Sequence, residues 1–302
     1  MNILFLGITQ FKTEHSKYVE SISLFKDVPI LLKAVRLIWF KFNLPFKSIW
    51  INKLVKSQIV NYDVIILSAT VFNNKLIPII DKWSKSDSRL ILWFWNPVEK
   101  VGNPTILSKR WRKVCFDLMD SQKFSIDFNN TYYFKDLVTL KDITKIEIRK
   151  NKSVYFLGQD KGRLRDLIDI KKTLNSYFID VDLHVVKDRT STIVDFIYKP
   201  KVTYAEVISM IQYHDILLDY NQVGQSGLTL RIMEGLFFEK KVITNNVFVK
   251  EYDFYNPANI FILDMDPIEN IIDFVKTDFE KVPDEILSRY EFQNWLNRLI
   301  YG

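Results

Sequence analysis

Short β-branched runs alternate with amphipathic stretches along this chain, the pattern of βα units that build parallel sheets. In the first half, 3–6, 64–67, 90–95 and 113–116 read as buried strands, with helical stretches between them at 49–60 and 76–85. In the second half, strands are predicted at 153–157, 182–186, 215–219, 241–244 and 259–262, and helices at 162–176, 203–213 and 228–238. A last helix is predicted over 283–299, with Tyr290, Trp295 and Leu299 among its apolar residues; periodicity does not decide which half it packs on. The basic connector at 145–152 separates the halves, which predicts two α/β domains, 1–148 and 149–302.

Composition agrees with a packed protein: 48% of the 302 residues are hydrophobic and 26% charged, with few Gly and Pro. No signal or transit peptide is readable. One cysteine, Cys115, leaves no intrachain disulfide and no Cys-rich zinc site, and only His15, His184 and His214 could supply imidazole ligands. A reducing, cytoplasmic setting and no structural metal are expected.

Charge is unevenly divided. Residues 1–150 carry 24 Lys/Arg against 13 Asp/Glu, and residues 151–302 carry 18 against 23. The basic half bears no nucleic-acid motif, because its cations are spread among Trp, Phe and Leu. The most apolar stretch, 28–40, is interrupted by Lys33 and Arg36 and is too short to cross a bilayer, which needs about 20 apolar residues. Residues 29–41, followed by Lys47, Lys53 and Lys56, suit either an interfacial helix at an anionic membrane or a core-facing helix with a solvated basic face.

Ligands of open parallel sheets bind at the carboxyl ends of the strands, so the segments that follow strands hold the candidate chemistry. Gly158-Gln159-Asp160-Lys161-Gly162-Arg163 couples a close-approach turn to two cations ahead of a helix, a combination that suits a diphosphate. After Asp219, a polar loop with Gly224 and Gly227 leads into a helix near Leu228, where Thr229, Arg231 and Glu234 could line the same site. Trp95 and Asn96 could stack on and hydrogen-bond a sugar. Asp117 and Asp120 follow a strand where a general base would sit, or Asp117 only caps the next helix; Glu14 and His15 are rivals for the base. The Asp-x-Asp pairs Asp180/Asp182 and Asp264/Asp266 could hold a metal, but the first lies at the wrong end of its strand and the second reads as an acidic loop. No hydrolase triad, zinc helix, Walker loop or dinucleotide fingerprint is present.

The run from Pro200 through Asn245 resembles the donor-binding half of GT-B glycosyltransferases. More narrowly, Gln225-Ser226-Gly227-Leu228-Thr229, Arg231, Glu234, Lys240-Lys241, Asp253-Phe254-Tyr255 and Asn259-Ile260-Phe261 resemble bacterial capsule, exopolysaccharide and lipopolysaccharide glycosyltransferases. Trp95-Asn96-Pro97 and Phe116-Asp117-x-x-Asp120 are similar to the same group. The resemblance implies an α/β GT-B fold: two Rossmann-like domains facing a cleft, the first on the acceptor side and the second binding a nucleotide sugar, with a UDP-sugar as the expected donor. It implies that Glu234 holds the ribose, that Gly227, Leu228, Thr229, Gly158, Lys161 and Arg163 meet the diphosphate, and that the base rests near Thr203 and Tyr204.

Many retaining members carry a glutamate eight positions before the second one, and here that position is Ser226, which favours an inverting reaction. The expectation is a cytoplasmic, metal-independent hexosyltransferase without a cofactor. It would act on a bacterial surface glycan or lipid-linked acceptor, peripherally at the inner face of the cell membrane, with no nucleic-acid partner. A nucleotide-sugar epimerase of the same fold and a non-catalytic nucleotide-sugar-binding partner are the alternatives.

Overall fold

A computed structural model describes residues 1–8, 11–138, 152–222 and 224–302. The chain divides into two compact units. One contains Met1–Asn130 together with Trp295–Gly302, and the other contains Thr131–Asn294. The expected boundary at 148/149 lies outside the described residues; the first unit draws on both ends of the chain.

The first unit is built on β1 (Ile3–Leu6), β2 (Glu20–Ile22), β3 (Val64–Ser68), β4 (Arg89–Phe94), β5 (Trp111–Cys115) and β6 (Asp127–Phe128). They form one parallel sheet in the order β2-β1-β3-β4-β5-β6. The central strands are buried on both faces, which is why Val64-Ile65-Ile66-Leu67 and Leu90-Ile91-Leu92 are continuous apolar runs. Sequence patterning misses β2 and β6 because they are edge strands of three and two residues, too short to show a period.

The second unit is built on β7 (Ser153–Gln159), β8 (Asp180–Val186), β9 (Ile216–Asp219), β10 (Lys241–Thr244) and β11 (Ile260–Ile262), parallel in the order β11-β10-β9-β7-β8. Strand order reverses between β7 and β9, and the loops at their carboxyl ends part there. Two Rossmann-like parallel sheets in one α/β chain make up the GT-B fold class that the motifs implied.

The stretch predicted as one helix over 283–299 is two helices, Asp284–Tyr290 and Phe292–Tyr301. Glu291 between them is extended because Tyr133 pairs with the chain there: its amide donates to the Tyr290 carbonyl and its carbonyl accepts from the Phe292 amide. Beyond the break, Trp295 is fully buried in the first unit, with its ring 5.0 Å from that of Trp93 and 6.3 Å from that of Phe5. Arg112 donates to the Leu299 carbonyl at 2.8 Å and Arg89 to the Ile300 carbonyl at 3.3 Å, so cations meet the negative end of this helix. The predicted helix at 49–60 is likewise subdivided, with Asn52 capping Lys53–Gln58 through the Leu54 amide. Among the described residues, no helix is long and apolar enough to cross a membrane.

Candidate functional site

The carboxyl end of the second sheet is organised around a buried carboxylate. Asp219 ends β9 at 4% exposure and accepts from the Thr229 hydroxyl at 2.8 Å and the Thr244 hydroxyl at 2.9 Å. Burial pushes its carboxyl above the usual range, and the two hydroxyls oppose that rise. Thr229 in turn is the N-cap of the helix Leu230–Phe237, accepting from the Arg231 amide at 3.1 Å and the Ile232 amide at 3.4 Å. One aspartate thus ties β9 to β10 and to the start of the helix.

A second group of polar side chains adjoins this helix. Glu234 is 2% exposed; its Oε1 accepts from the Tyr204 hydroxyl at 2.9 Å and its Oε2 lies 2.6 Å from Arg231 Nη1. Burial raises the Glu234 carboxyl, against the opposing pull of Arg231. Tyr204 extends the chain to the Tyr133 hydroxyl at 2.6 Å. Glu234 is one turn beyond Arg231, the spacing that brings two helical side chains together.

Between the loops that follow β7, β9 and β10 lies a cavity of about 270 Å³, lined in part by Lys161, Arg163, Gln222, Gln225, Asn245 and Asn246. Arg163 fixes the floor of the turn after β7. It donates to the Tyr220 and Gln159 carbonyls and lies 5.0 Å from the centre of the Phe156 ring, linking β7 to the end of β9. Gly158 makes room for this strut: a Cβ there would stand 2.7 Å from the Arg163 guanidinium and push it aside. Burial lowers the Arg163 pKa, and Asp219, Asp160 and Asp188 oppose the shift. Asn221 and Asn245 hold the rim, the Asn221 amide donating to Asn245 Oδ1 at 2.7 Å.

Lys161 and Arg163 line this cavity, while the other predicted donor residues have different surroundings. Thr229 has its hydroxyl committed to Asp219 and to the helix amides a phosphate would otherwise meet. Leu228 is buried, with its carbonyl accepting from Thr131, and Gly227 is buried beside it. Thr203 caps its helix in a reciprocal box with Glu206, and the Tyr204 side chain turns to Glu234. Glu234 and Arg231 face each other in the interior, with Glu234 also holding the Tyr204 hydroxyl. Sequence reading missed Asp219, Thr244, Tyr133 and Asn246 as site residues. Asp219 alone carried a signal, an ionisable residue closing an apolar strand.

In the first unit, Asp117 is the N-cap of Leu118–Phe124, accepting from the Met119 amide at 3.0 Å and the Asp120 amide at 3.3 Å, at 1% exposure. Capping is what this geometry does, and a carboxylate so enclosed is poorly placed to reach a substrate proton. Asp120 is half-buried, and its Oδ2 accepts from the Val98 amide at 2.7 Å, which brings it to the turn that carries Trp95 and Asn96. Burial raises its carboxyl first, and the neighbouring Asp117 charge adds to the rise. Trp95 is partly exposed, its ring edge-on to Trp93 at 6.3 Å, and Asn96 is exposed. His15 is a core residue: fully buried, 5.5 Å from the Phe5 ring, with burial holding its imidazole down at about 4. Glu14 is half-exposed on the same short helix, Lys12–His15.

Among the described residues, no three His, Cys, Asp or Glu side chains come together as a metal set. Asp266 accepts from the Ile262 amide at 2.7 Å, and Asp180 and Asp182 begin β8. His184 bonds the Pro200 carbonyl and His214 the Met210 carbonyl, so both are part of the packing.

No protein-family model matches the sequence, and no curated protein does. Solved structures do match the fold. A glycosyltransferase from Rickettsia africae ESF-5 aligns with a TM-score of 0.55 at 13% identity, over 99% of this chain and 90% of that one. An alpha-glucosyltransferase solved with UDP-glucose and DNA containing an abasic site aligns with a TM-score of 0.56 at 10% identity, over 98% of this chain and 92% of that one. At these identities the likeness is one of fold.

Proposed function

We propose that this protein is a glycosyltransferase that moves a hexose from a nucleotide diphosphate donor to a bacterial surface glycan or lipid-linked acceptor, without a metal ion and with inversion. The observation that carries this reading is the cavity at the point where strand order reverses in the second sheet, lined by Lys161, Arg163 and a set of amide side chains. A diphosphate needs cations and N–H donors, and a sugar needs amide groups that both donate and accept; both requirements meet there. The leaving diphosphate would be stabilised by these fixed positive groups. Asp120 is the proposed base, since its raised carboxyl and partial exposure beside Trp95 and Asn96 suit proton abstraction from an acceptor hydroxyl.

UDP is the first nucleotide to test, because the neighbour solved with UDP-glucose shares this fold. A thermal-shift series against UDP, GDP, CMP and dTDP should show stabilisation by one of them, since a ligand of the native state raises its melting point. If none of the four moves the transition, the donor site is not where this reading puts it. Transfer measured in EDTA should persist; activity lost in chelator and restored by Mg²⁺ or Mn²⁺ would remove metal independence from the proposal.

A further inference from the structure

The helix Ile30–Lys41 is turned the wrong way for a soluble surface. Its inward stripe is narrow: Phe40 is fully buried, and Arg36 lies 4.3 Å from the centre of the Phe25 ring and donates to the Lys26 carbonyl. Three- and four-residue spacing puts Ile30, Ala34, Leu37 and Ile38 on the opposite face, with Leu31 and Val35 beside them. Apart from Lys41, which closes the stripe at the C-terminal end of the helix and can reach back to the headgroup level, that face is apolar and bare, with Ile30 at 82% and Leu31 at 78% exposure. The turn after the helix continues it through Phe42 at 67% and Phe46 at 77%. Trp39 steadies this turn by donating to the Pro45 carbonyl at 2.7 Å and packing edge-on against Trp50. Single exposed apolar side chains are ordinary, but a contiguous face of them marks a contact surface.

Charge identifies the partner. No Asp or Glu occurs from Val28 to Tyr62, a span that contains Lys33, Arg36, Lys41, Lys47, Lys53 and Lys56. Asp27 is the acidic side chain that meets this segment, 3.3 Å from Lys33 and itself 97% exposed, so solvent screens it. Two copies of this face would set Lys33, Lys41 and Lys47 against their own like, which disfavours a symmetric dimer. At 12 residues the helix is about 18 Å long, short of the roughly 30 Å of a hydrocarbon core. We infer that this face docks on a bilayer surface rich in anionic lipid, with the helix lying in the plane, its apolar face among the acyl chains and its lysines at the headgroups. The inference stands apart from the proposed chemistry, because it uses no residue of either candidate site.

The test is flotation of the full chain with vesicles of phosphatidylcholine, with and without phosphatidylglycerol, at low and high salt. Binding should require phosphatidylglycerol and weaken as salt rises. The Leu31→Glu/Ile38→Glu variant should bind about tenfold more weakly or worse. Lys41→Gln/Lys47→Gln should lose about fivefold for each lysine. All four positions lie outside the core, so unchanged circular dichroism and melting would show that both variants fold. Absence of binding at low salt, equal binding to neutral vesicles, or undiminished binding by both variants would overturn the inference. So would a dimer in light scattering that Leu31→Glu/Ile38→Glu dissociates while the wild type ignores vesicles, which would give the face to a second copy.

Discussion

The two sheets share the order of their first five strands, yet their carboxyl ends are built on opposite plans. At the end of the second sheet, ionisable groups are interior and mutually engaged: Asp219 with two threonine hydroxyls, Glu234 with Arg231 and Tyr204, Arg163 with backbone carbonyls. At the end of the first, Trp95, Asn96 and Asp120, the residues proposed to meet a sugar, are partly or fully open, and a bond from the Val98 amide steadies the carboxylate. A braced end suits a ligand of constant shape, such as a nucleotide diphosphate. An open end suits a variable one. Burial of charge, rather than its presence, thus sets the two ends apart, because a buried unpaired ion costs several kcal/mol and so must be held by partners.

The largest effect is expected from removing one member of the buried Glu234–Arg231 pair. Glu234→Ala leaves Arg231 without its carboxylate and should destabilise the protein by about 3–5 kcal/mol in urea unfolding. A loss below about 1 kcal/mol, accompanied by weaker nucleotide binding, would make Glu234 a ligand contact instead of a brace.

His15 gives the next largest effect. Its imidazole is held at about 4 against an ordinary 6.5, so between those values the unfolded chain binds the extra proton. Its contribution is therefore complete above pH 6.5 and is lost as pH falls towards 4, about 3 kcal/mol across the window. The urea midpoint of His15→Leu should then depend less on pH than that of the wild type, and parallel pH profiles would show the ring to be solvated.

In the open end, Asp120→Asn should lower kcat by about 10² while donor affinity stays constant. Near-normal turnover would pass the base to Glu14 or point to retention. Asp117→Ala gives the smallest change, about 1 kcal/mol of stability for a lost cap, with turnover of the folded enzyme nearly intact. A 10²-fold kinetic loss there would reverse the roles of the two aspartates.

How much of this was legible in the sequence follows the same division. Thr229, Arg231 and Glu234 stand on one helix start a few residues after Asp219, so local spacing was enough to mark the region. It could not show which way they face, because that depends on Tyr133 and Tyr204, brought in from distant segments. Asp120 reaches the Trp95 turn through a backbone amide on another loop, a contact that no periodicity records. The helix Ile30–Lys41 was visible as apolar and basic, but either face could have been the inner one. Arg36 settles it by stacking on Phe25, a tertiary contact outside the helix.

The placement of Trp295 bears on how the chain folds as it leaves the ribosome. Residues 1–130 emerge first, but the indole that packs against Trp93 and Phe5 is held back until the whole of Thr131–Asn294 has been made. Closing that contact spans nearly the full length of the chain and carries the loop-closure entropy that slows non-local pairing. The unit translated second is contiguous and can complete its own core from its own residues, whereas the unit translated first must wait for the last eight. Vectorial synthesis would ordinarily let an N-terminal domain finish ahead of its successor; here the first unit cannot do so, and its nascent sheet keeps apolar surface around Trp93 uncovered while the second is made.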